Sequence, residues 1–132
     1  MTGSHPLGNV ELRGAATVAA GTTLALSGTF TMPSAVTATL NGVITVPGLT
    51  TLTSGTLNGS GTLEAQGDLA VASTFSGGAS TLLIDGSAAQ AFTGAATTAA
   101  GNLPALVINK PAGAFTLAGT IRTGNAWTYT AG

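Results

Sequence analysis

The chain has 132 residues, a length typical of one domain, but only 5% of them are charged and none is cysteine. The seven charges are scattered singly and give a formal net charge of −1, which excludes the basic footprint that nucleic-acid binding requires. Disulfides and thiolate metal sites are excluded as well, and without an apolar run of about 18 residues no membrane insertion is expected.

Residues 1–9 are predicted to form a lead or cap segment ahead of the repeat. Residues 1–12 show no positively charged region followed by an apolar one, so no signal peptide is predicted in them and export would need another signal or route. The only histidine of the chain, His5, lies in this segment between Ser4 and Pro6. We assign it no catalytic role.

Residues 10–75 are organised by large apolar residues that recur every six positions, with two shorter steps. The members of this series are Leu12, Val18, Leu24, Phe30, Val36, Leu40, Val46, Leu52, Leu57, Leu63, Leu69 and Phe75. Six is a multiple of the strand period of two and not of the helical period of 3.6, so the spacing predicts short strands. We expect seven of these side chains to point inward and form the core: Leu24, Phe30, Val46, Leu57, Leu63, Leu69 and Phe75.

The remaining chain loses this rhythm and then regains it. Residues 76–102 are rich in Gly, Ala and Thr, whereas residues 103–132 resume the six-residue step at Phe115, Ile121 and Trp127. Short strands at nearly constant spacing predict one parallel β-solenoid, or β-helix, over residues 10–132, in which each coil covers the next. The alternative is a β-sandwich, which would need longer strands and fewer regular steps.

A motif in the second half resembles a known kind of repeat. The segments Leu82-Leu83-Ile84-Asp85-Gly86, Asn102-Leu103-Pro104-Ala105-Leu106-Val107-Ile108-Asn109-Lys110 and Phe115-Thr116-Leu117-Ala118-Gly119 follow one another in residues 80–132. Together they resemble a β-helical module that is repeated in very large bacterial surface and adhesin-like proteins. The resemblance implies a stalk or fibre and supplies no catalytic residue. Because those proteins are far longer, it also implies a fragment or a short relative.

Candidate catalytic and metal sites are sparse. Glu64 and Asp68 are four apart and would share a face of an extended strand, but their neighbours Ala65 and Gln66 offer neither burial nor a basic partner, as a glycosidase pair would need. Asp85-Gly86 is interpreted as turn chemistry, because Asp-Gly accommodates a positive φ in a tight turn. We expect no enzyme activity, no cofactor and no metal site.

Candidate surface features lie in strands. Trp127 and Tyr129 are two apart, so they share one side of the last strand and form a possible contact surface, for a neighbouring subunit or for surface glycans. Lys110, just before Pro111, is predicted to be an edge charge that prevents unwanted strand pairing. Thr-x-Thr pairs begin at Thr29, Thr37, Thr51 and Thr128, but their irregular spacing argues against a single ice-binding array.

These features predict a non-catalytic structural or adhesive repeat module of an extracellular or cell-surface protein or filament. A virion fibre or appendage protein is the alternative, and an ice-binding or polysaccharide-active protein is less favoured. The six-residue rhythm continues almost to Gly132 without a polar cap, so we expect the stack ends to associate with copies of the chain or with flanking repeats.

Overall fold

The structure is a computed structural model that describes residues 2–132; Met1, the first residue of the predicted lead, lies outside the described residues. Its strands are β1 (Gly3–Leu7), β2 (Val10–Glu11), β3 (Ala16–Val18), β4 (Thr22–Leu26), β5 (Phe30–Met32), β6 (Thr37–Leu40), β7 (Val43–Val46), β8 (Thr50–Leu52), β9 (Thr56–Asn58), β10 (Thr62–Ala65), β11 (Leu69–Val71), β12 (Thr81–Ile84), β13 (Gln90–Ala95), β14 (Asn102–Leu103), β15 (Ala105–Asn109), β16 (Phe115–Thr120), β17 (Arg122–Thr123) and β18 (Trp127–Ala131). The pairings between these strands are parallel, which confirms the predicted parallel β-solenoid.

Each coil, meaning one full turn of the chain around the solenoid axis, contributes strands to three faces. The first face is a seven-stranded sheet in the order β1-β4-β7-β10-β12-β15-β18. The second is a six-stranded sheet in the order β2-β5-β8-β11-β13-β16. The third face contains β3-β6-β9, an isolated bridge between Gly55 and Phe75, and β14-β17. The molecule is therefore a three-faced stack of six coils that ends with the first strand of a further coil.

The six-residue rhythm is the step from one face to the next. Leu57 lies on the third face, Leu63 on the first and Leu69 on the second, so consecutive members of the series point at the axis from different sides. Leu63 stacks between Ile44 and Leu82, which sets a coil of 19 residues here, or three six-residue steps and one more residue. The extra residue explains why the series cannot keep a strict step of six from coil to coil.

The core is the set of inward side chains enclosed by the three faces. Six of the seven predicted core residues are buried, and three of them, Val46, Leu57 and Leu63, are wholly inaccessible to solvent. The seventh, Leu24, packs against the core but is only partly buried, because it lies next to the N-terminal coil. Burial of apolar area, at roughly 25 cal/mol per Å², is the main stabilising contribution of such a stack.

The corner between the first and second faces is built from stacked glycines. A Cβ on Gly67 would lie 2.4 Å from the carbonyl oxygen of Gly48, and one on Gly48 would lie 2.6 Å from that of Gly28. Neither contact is sterically possible, so successive coils can approach this closely at Gly48 and Gly67 only because these residues have no side chain. Glycine is therefore required at these positions by close packing between coils and not by the conformation of the turn.

The predicted lead belongs to the solenoid. Residues 3–7 form β1, which pairs in register with β4 so that His5 stacks on Leu24 and Leu7 on Leu26. The segment 76–102, which lacks the rhythm, supplies β12, β13 and the first residue of β14, and its extra residues lengthen the coil. Leu82 accordingly stacks on Leu106, a spacing of 24 residues.

Candidate functional site

Trp127 and Tyr129 occupy core positions at the C-terminal end of the stack. On β18, Trp127 pairs in register with Leu106 and Tyr129 with Ile108, and both of those residues are buried. The two aromatic side chains therefore continue inward ladders, yet they are 45% and 62% exposed. They are exposed because β18 is the last strand of its sheet and has a neighbour on one side only.

Other side chains of the last coil share this situation. Leu117 stacks on the buried Phe92 and is 47% exposed, while Phe115 and Ile121 are only partly buried against the core. We call these side chains and the aromatic pair the C-terminal end surface: Phe115, Leu117, Ile121, Trp127 and Tyr129. An apolar surface of this kind gains free energy when another coil covers it.

The two ends of the stack differ in shape. At the N-terminal end the outermost strands of the three faces are β1, β2 and β3, which all belong to the first coil. At the C-terminal end β16 and β17 belong to one coil, whereas β18 lies one coil further along the axis. The C-terminal end is therefore stepped, with two faces one strand shorter than the first face.

Few charges lie near these ends. Arg122, on β17, has a buried Nη1 without a hydrogen-bond partner among residues 2–132. The next residue, Thr123, pairs in register with the buried Leu103 and therefore faces inward. Because neighbouring residues of a strand point to opposite sides, Arg122 faces outward. At the N-terminal end, Glu11 and Arg13 form an ion pair that is largely exposed.

A buried polar cluster occupies the wider corner between the first and second faces in the later coils. The Nε2 of Gln90 donates hydrogen bonds to the carbonyl oxygens of Ala65 at 2.8 Å and Gly67 at 2.7 Å. Its Oε1 accepts hydrogen bonds from the Gly86 N–H at 3.0 Å and from the Nζ of Lys110 at 2.6 Å. Five residues separate β12 from β13 here, against three between β10 and β11, so the Gln90 side chain satisfies main-chain groups that the wider corner leaves unpaired.

The structure overturns the prediction that Lys110 is an edge charge. Lys110 is only 2% exposed, and its Nζ also donates hydrogen bonds to the carbonyl oxygens of Gly86 at 2.6 Å and Ala88 at 2.9 Å. Burial lowers its pKa, although the carboxylate of Asp85 opposes the shift. Lys110 directly follows β15, and its amino group reaches back to the carbonyl oxygen of Gly86 in the coil below.

The positive φ expected at Asp85-Gly86 is absent, since the positive φ values of the described residues fall on other glycines. Glycine is needed there for space, because a Cβ would lie 2.0 Å from the carbonyl oxygen of Gln66. The missed signal is the spacing of Gly48, Gly67 and Gly86, which are 19 residues apart like the coils themselves.

The structure separates Glu64 from Asp68, the two carboxylates that the sequence pattern placed on one face of an extended strand. Asp68 is at the corner, and its Oδ1 accepts a hydrogen bond from the Ala91 N–H at 2.8 Å. Glu64 points outward from β10 and accepts a hydrogen bond from the Oγ1 of Thr45 at 2.8 Å. The carboxylate that Glu64 influences is Asp85: burial raises the pKa of Asp85, and repulsion from Glu64 raises it further.

The other candidate residues do not form a cluster. The Nε2 of His5 lies 3.1 Å from the carbonyl oxygen of Thr2, at the N-terminal end. Thr31 pairs with Thr51 on the second face, whereas the pair at Thr37 lies on the third face and that at Thr128 on the first. Within the described part of the chain, no three His, Asp or Glu residues lie close enough together to hold a metal ion.

Comparison of the chain with protein-family models, with curated proteins and with solved structures finds no match. The likeness of residues 80–132 to bacterial surface repeats therefore rests on their sequence motifs alone. In residues 2–132 there is no helix of the length and hydropathy that crossing a membrane would take.

Proposed function

We propose that this chain is a non-catalytic structural or adhesive repeat module of an extracellular or cell-surface protein or filament. In this proposal its stack ends bind further coils, supplied either by copies of the chain or by flanking repeats. The observation that carries the proposal is the exposure of Trp127 and Tyr129 at positions where the preceding coils bury their side chains.

The physical support is the cost of leaving this end uncovered. Besides the apolar side chains, the outer edge of β18 presents backbone N–H and C=O groups with no strand beside them. Such edges are templates for strand addition unless charge, proline or a covering segment blocks them. Residues 127–131 contain neither a charged residue nor proline, and a net charge of −1 gives little long-range repulsion.

The resemblance of residues 80–132 to modules of bacterial surface proteins supports the extracellular or cell-surface location. The low charge of the side faces supports an elongated, repetitive role, because like charges stacked about 4.8 Å apart in a ladder would repel. Thr23, Thr62 and Thr81 mark such an uncharged outward ladder on the first face.

The test is the size of the purified chain over a range of concentrations, measured by sedimentation velocity and by electron microscopy. We expect species larger than the monomer, elongated along the solenoid axis. Trp127→Lys together with Tyr129→Lys should return the chain to the monomer, because both charges would be buried in the contact.

Leu49→Lys is the matched control. Leu49 is an apolar residue at the corner between β7 and β8, away from both ends of the stack, and its exposure of 44% is close to that of Trp127. If its substitution disperses the assemblies as well as the double change does, association depends on general surface hydrophobicity. A wild-type chain that stays monomeric at high concentration would refute self-association through the ends.

A further inference from the structure

We infer that a second copy of this chain adds to the C-terminal end rotated by one face about the solenoid axis, so that its β1 pairs with β16, its β2 with β17 and its β3 with β18. This inference rests on the proposed function and specifies the partner and its orientation. It follows from the step at the C-terminal end.

Stacking without rotation leaves a gap. If the second copy placed β1 over β18, its β2 would lie one coil too far from β16, because β18 already lies one coil beyond β16 and β17. Two strand positions, one on the second face and one on the third, would then be empty. The backbone edges of β16 and β17 and the side chain of Leu117 would stay exposed.

Rotation by one face removes this gap. The strand position that follows β18 along the winding of the chain lies on the second face, above β16. A second copy whose β1 takes that position continues the winding without a break, because β2 then lies above β17 and β3 above β18. The flush N-terminal coil thus becomes complementary to the stepped end, and each of the three open edges gains a parallel partner.

The side chains at the two ends agree with this arrangement. His5 and Leu7 are the inward-side residues of β1, as their pairing with Leu24 and Leu26 shows, and they would cover Phe115 and Leu117. Val18, the inward residue that ends β3, would lie above the aromatic pair on β18. Each contact places an apolar or weakly polar side chain on an apolar one, as in the interior of the stack.

Charge complementarity supports the same orientation. Glu11 follows Val10 on β2, and Arg122 follows Ile121 at the start of β17. Pairing that places the inward residue Val10 over Ile121 places Glu11 opposite Arg122, whose Nη1 lacks a hydrogen-bond partner in the described chain. Opposite charges directly across a pair of strands are stabilising. Without rotation, β17 has no strand above it and Arg122 gains no such neighbour.

Engineered cysteines distinguish the two orientations, because the chain has no cysteine of its own. One preparation carries Pro6→Cys, on the outer side of β1 between His5 and Leu7, and a second carries Thr116→Cys, on the outer side of β16. The matched control replaces the second with Thr128→Cys, on the outer side of β18. All three positions are exposed. Because a disulfide requires Cα atoms within about 7 Å, only strands that pair directly will cross-link.

We expect mixed, mildly oxidised samples to form the disulfide-linked dimer with Pro6→Cys and Thr116→Cys and not with Pro6→Cys and Thr128→Cys. Assemblies that cross-link through Thr128→Cys would overturn the rotation but leave association through the ends intact. Assemblies with neither cross-link would overturn end-to-end stacking. A monomer with neither cross-link would overturn this inference together with self-association.

A charge reversal provides a second measurement that does not depend on cysteines. Arg122→Glu should weaken association about tenfold or more, because Glu11 would then face a like charge. Adding Glu11→Arg to the same chain should restore association. If Arg122→Glu leaves the association constant unchanged, or if the reversed pair fails to restore it, Glu11 and Arg122 do not meet.

Discussion

The Nζ of Lys110 donates a 2.6 Å hydrogen bond to the Oε1 of Gln90, and both side chains are buried in the wide corner between the first and second faces. Lys110→Met removes this donor and the hydrogen bonds to Gly86 and Ala88, leaving two buried oxygen acceptors and a partly buried one with fewer partners. Because each buried group left unsatisfied costs about 1 to 3 kcal/mol, we expect the free energy of unfolding to fall by roughly 3 kcal/mol or more.

Urea unfolding followed by circular dichroism measures this loss. Arg13→Met is the control, because it also removes one positive charge but from a side chain that is 77% exposed. We expect Arg13→Met to change stability by about 0.5 kcal/mol or less. Equal effects of the two substitutions would show that the Lys110 hydrogen bonds contribute nothing specific.

The glycine corner gives a second prediction. Gly67→Ala places a Cβ against the carbonyl oxygen of Gly48 and should destabilise the stack by about 1 to 3 kcal/mol through forced backbone shifts. Gly8 lies at the same corner of the first coil, where a Cβ would meet no atom within 4 Å, so Gly8→Ala should be nearly neutral. Thermal unfolding of both variants tests this difference, and a Gly67→Ala variant as stable as Gly8→Ala would contradict it.

The core ladder gives a third prediction. Leu63 is wholly buried between Ile44 and Leu82, so Leu63→Ala should lower the free energy of unfolding by about 2 to 5 kcal/mol. Leu49→Ala, at an exposed position, should cost far less. Chemical denaturation of the two variants makes the comparison. A loss well under about 1 kcal/mol for Leu63→Ala would mean that Leu63 is not part of the core.

The raised pKa of Asp85 predicts a pH dependence of stability. Burial and Glu64 disfavour the charged carboxylate in the folded chain, so the protonated form stabilises the fold relative to the unfolded chain. This contribution is fully present below the pKa of the unfolded chain and is lost as pH rises through the raised pKa of the folded chain.

Asp85→Asn should therefore gain stability relative to the unsubstituted chain as pH rises from the acid range to neutrality. Urea titrations at several pH values measure that difference. Glu64→Gln, which removes the repelling charge, should reduce the difference. A stability difference between Asp85→Asn and the unsubstituted chain that does not vary with pH would refute the assignment.

The proposal of a non-catalytic role gives a fifth prediction. Glu64→Gln and Asp68→Asn combined in one chain should leave assembly unchanged, since neither residue lies at an end of the stack. Adding His5→Gln, at the N-terminal end, gives the triple variant for the test of turnover. Sedimentation velocity tests assembly, and release of reducing ends tests turnover on polysaccharides. Turnover by the unsubstituted chain that is lost in the triple variant would assign catalysis to one of the three.

The sequence alone determined the fold class and most of the core. A spacing of six is incompatible with a helical stripe, and apolar residues at such a spacing can share an interior only if short strands wind around it. Leu57, Leu63 and Leu69 could therefore be assigned inward, as the structure confirms. The same spacing predicted an inward position for Trp127 near the end of the chain, and in the structure Trp127 pairs with the buried Leu106.

Only the tertiary structure decided which residues meet across coils, because the coil is 19 residues long at Leu63 and 24 at Leu82, and no local pattern fixes its length. Lys110 was predicted at an edge because a lysine before proline commonly marks a strand end, but the longer coil placed it above the corner carbonyls. Asp85 and Glu64 are neighbours because their coils stack. Asp68, which the sequence pattern placed on the same face as Glu64, lies instead at the corner between β10 and β11. The step at the C-terminal end likewise could not be predicted, because it depends on which face each of β16, β17 and β18 occupies, and that follows only from the pairing of the coils.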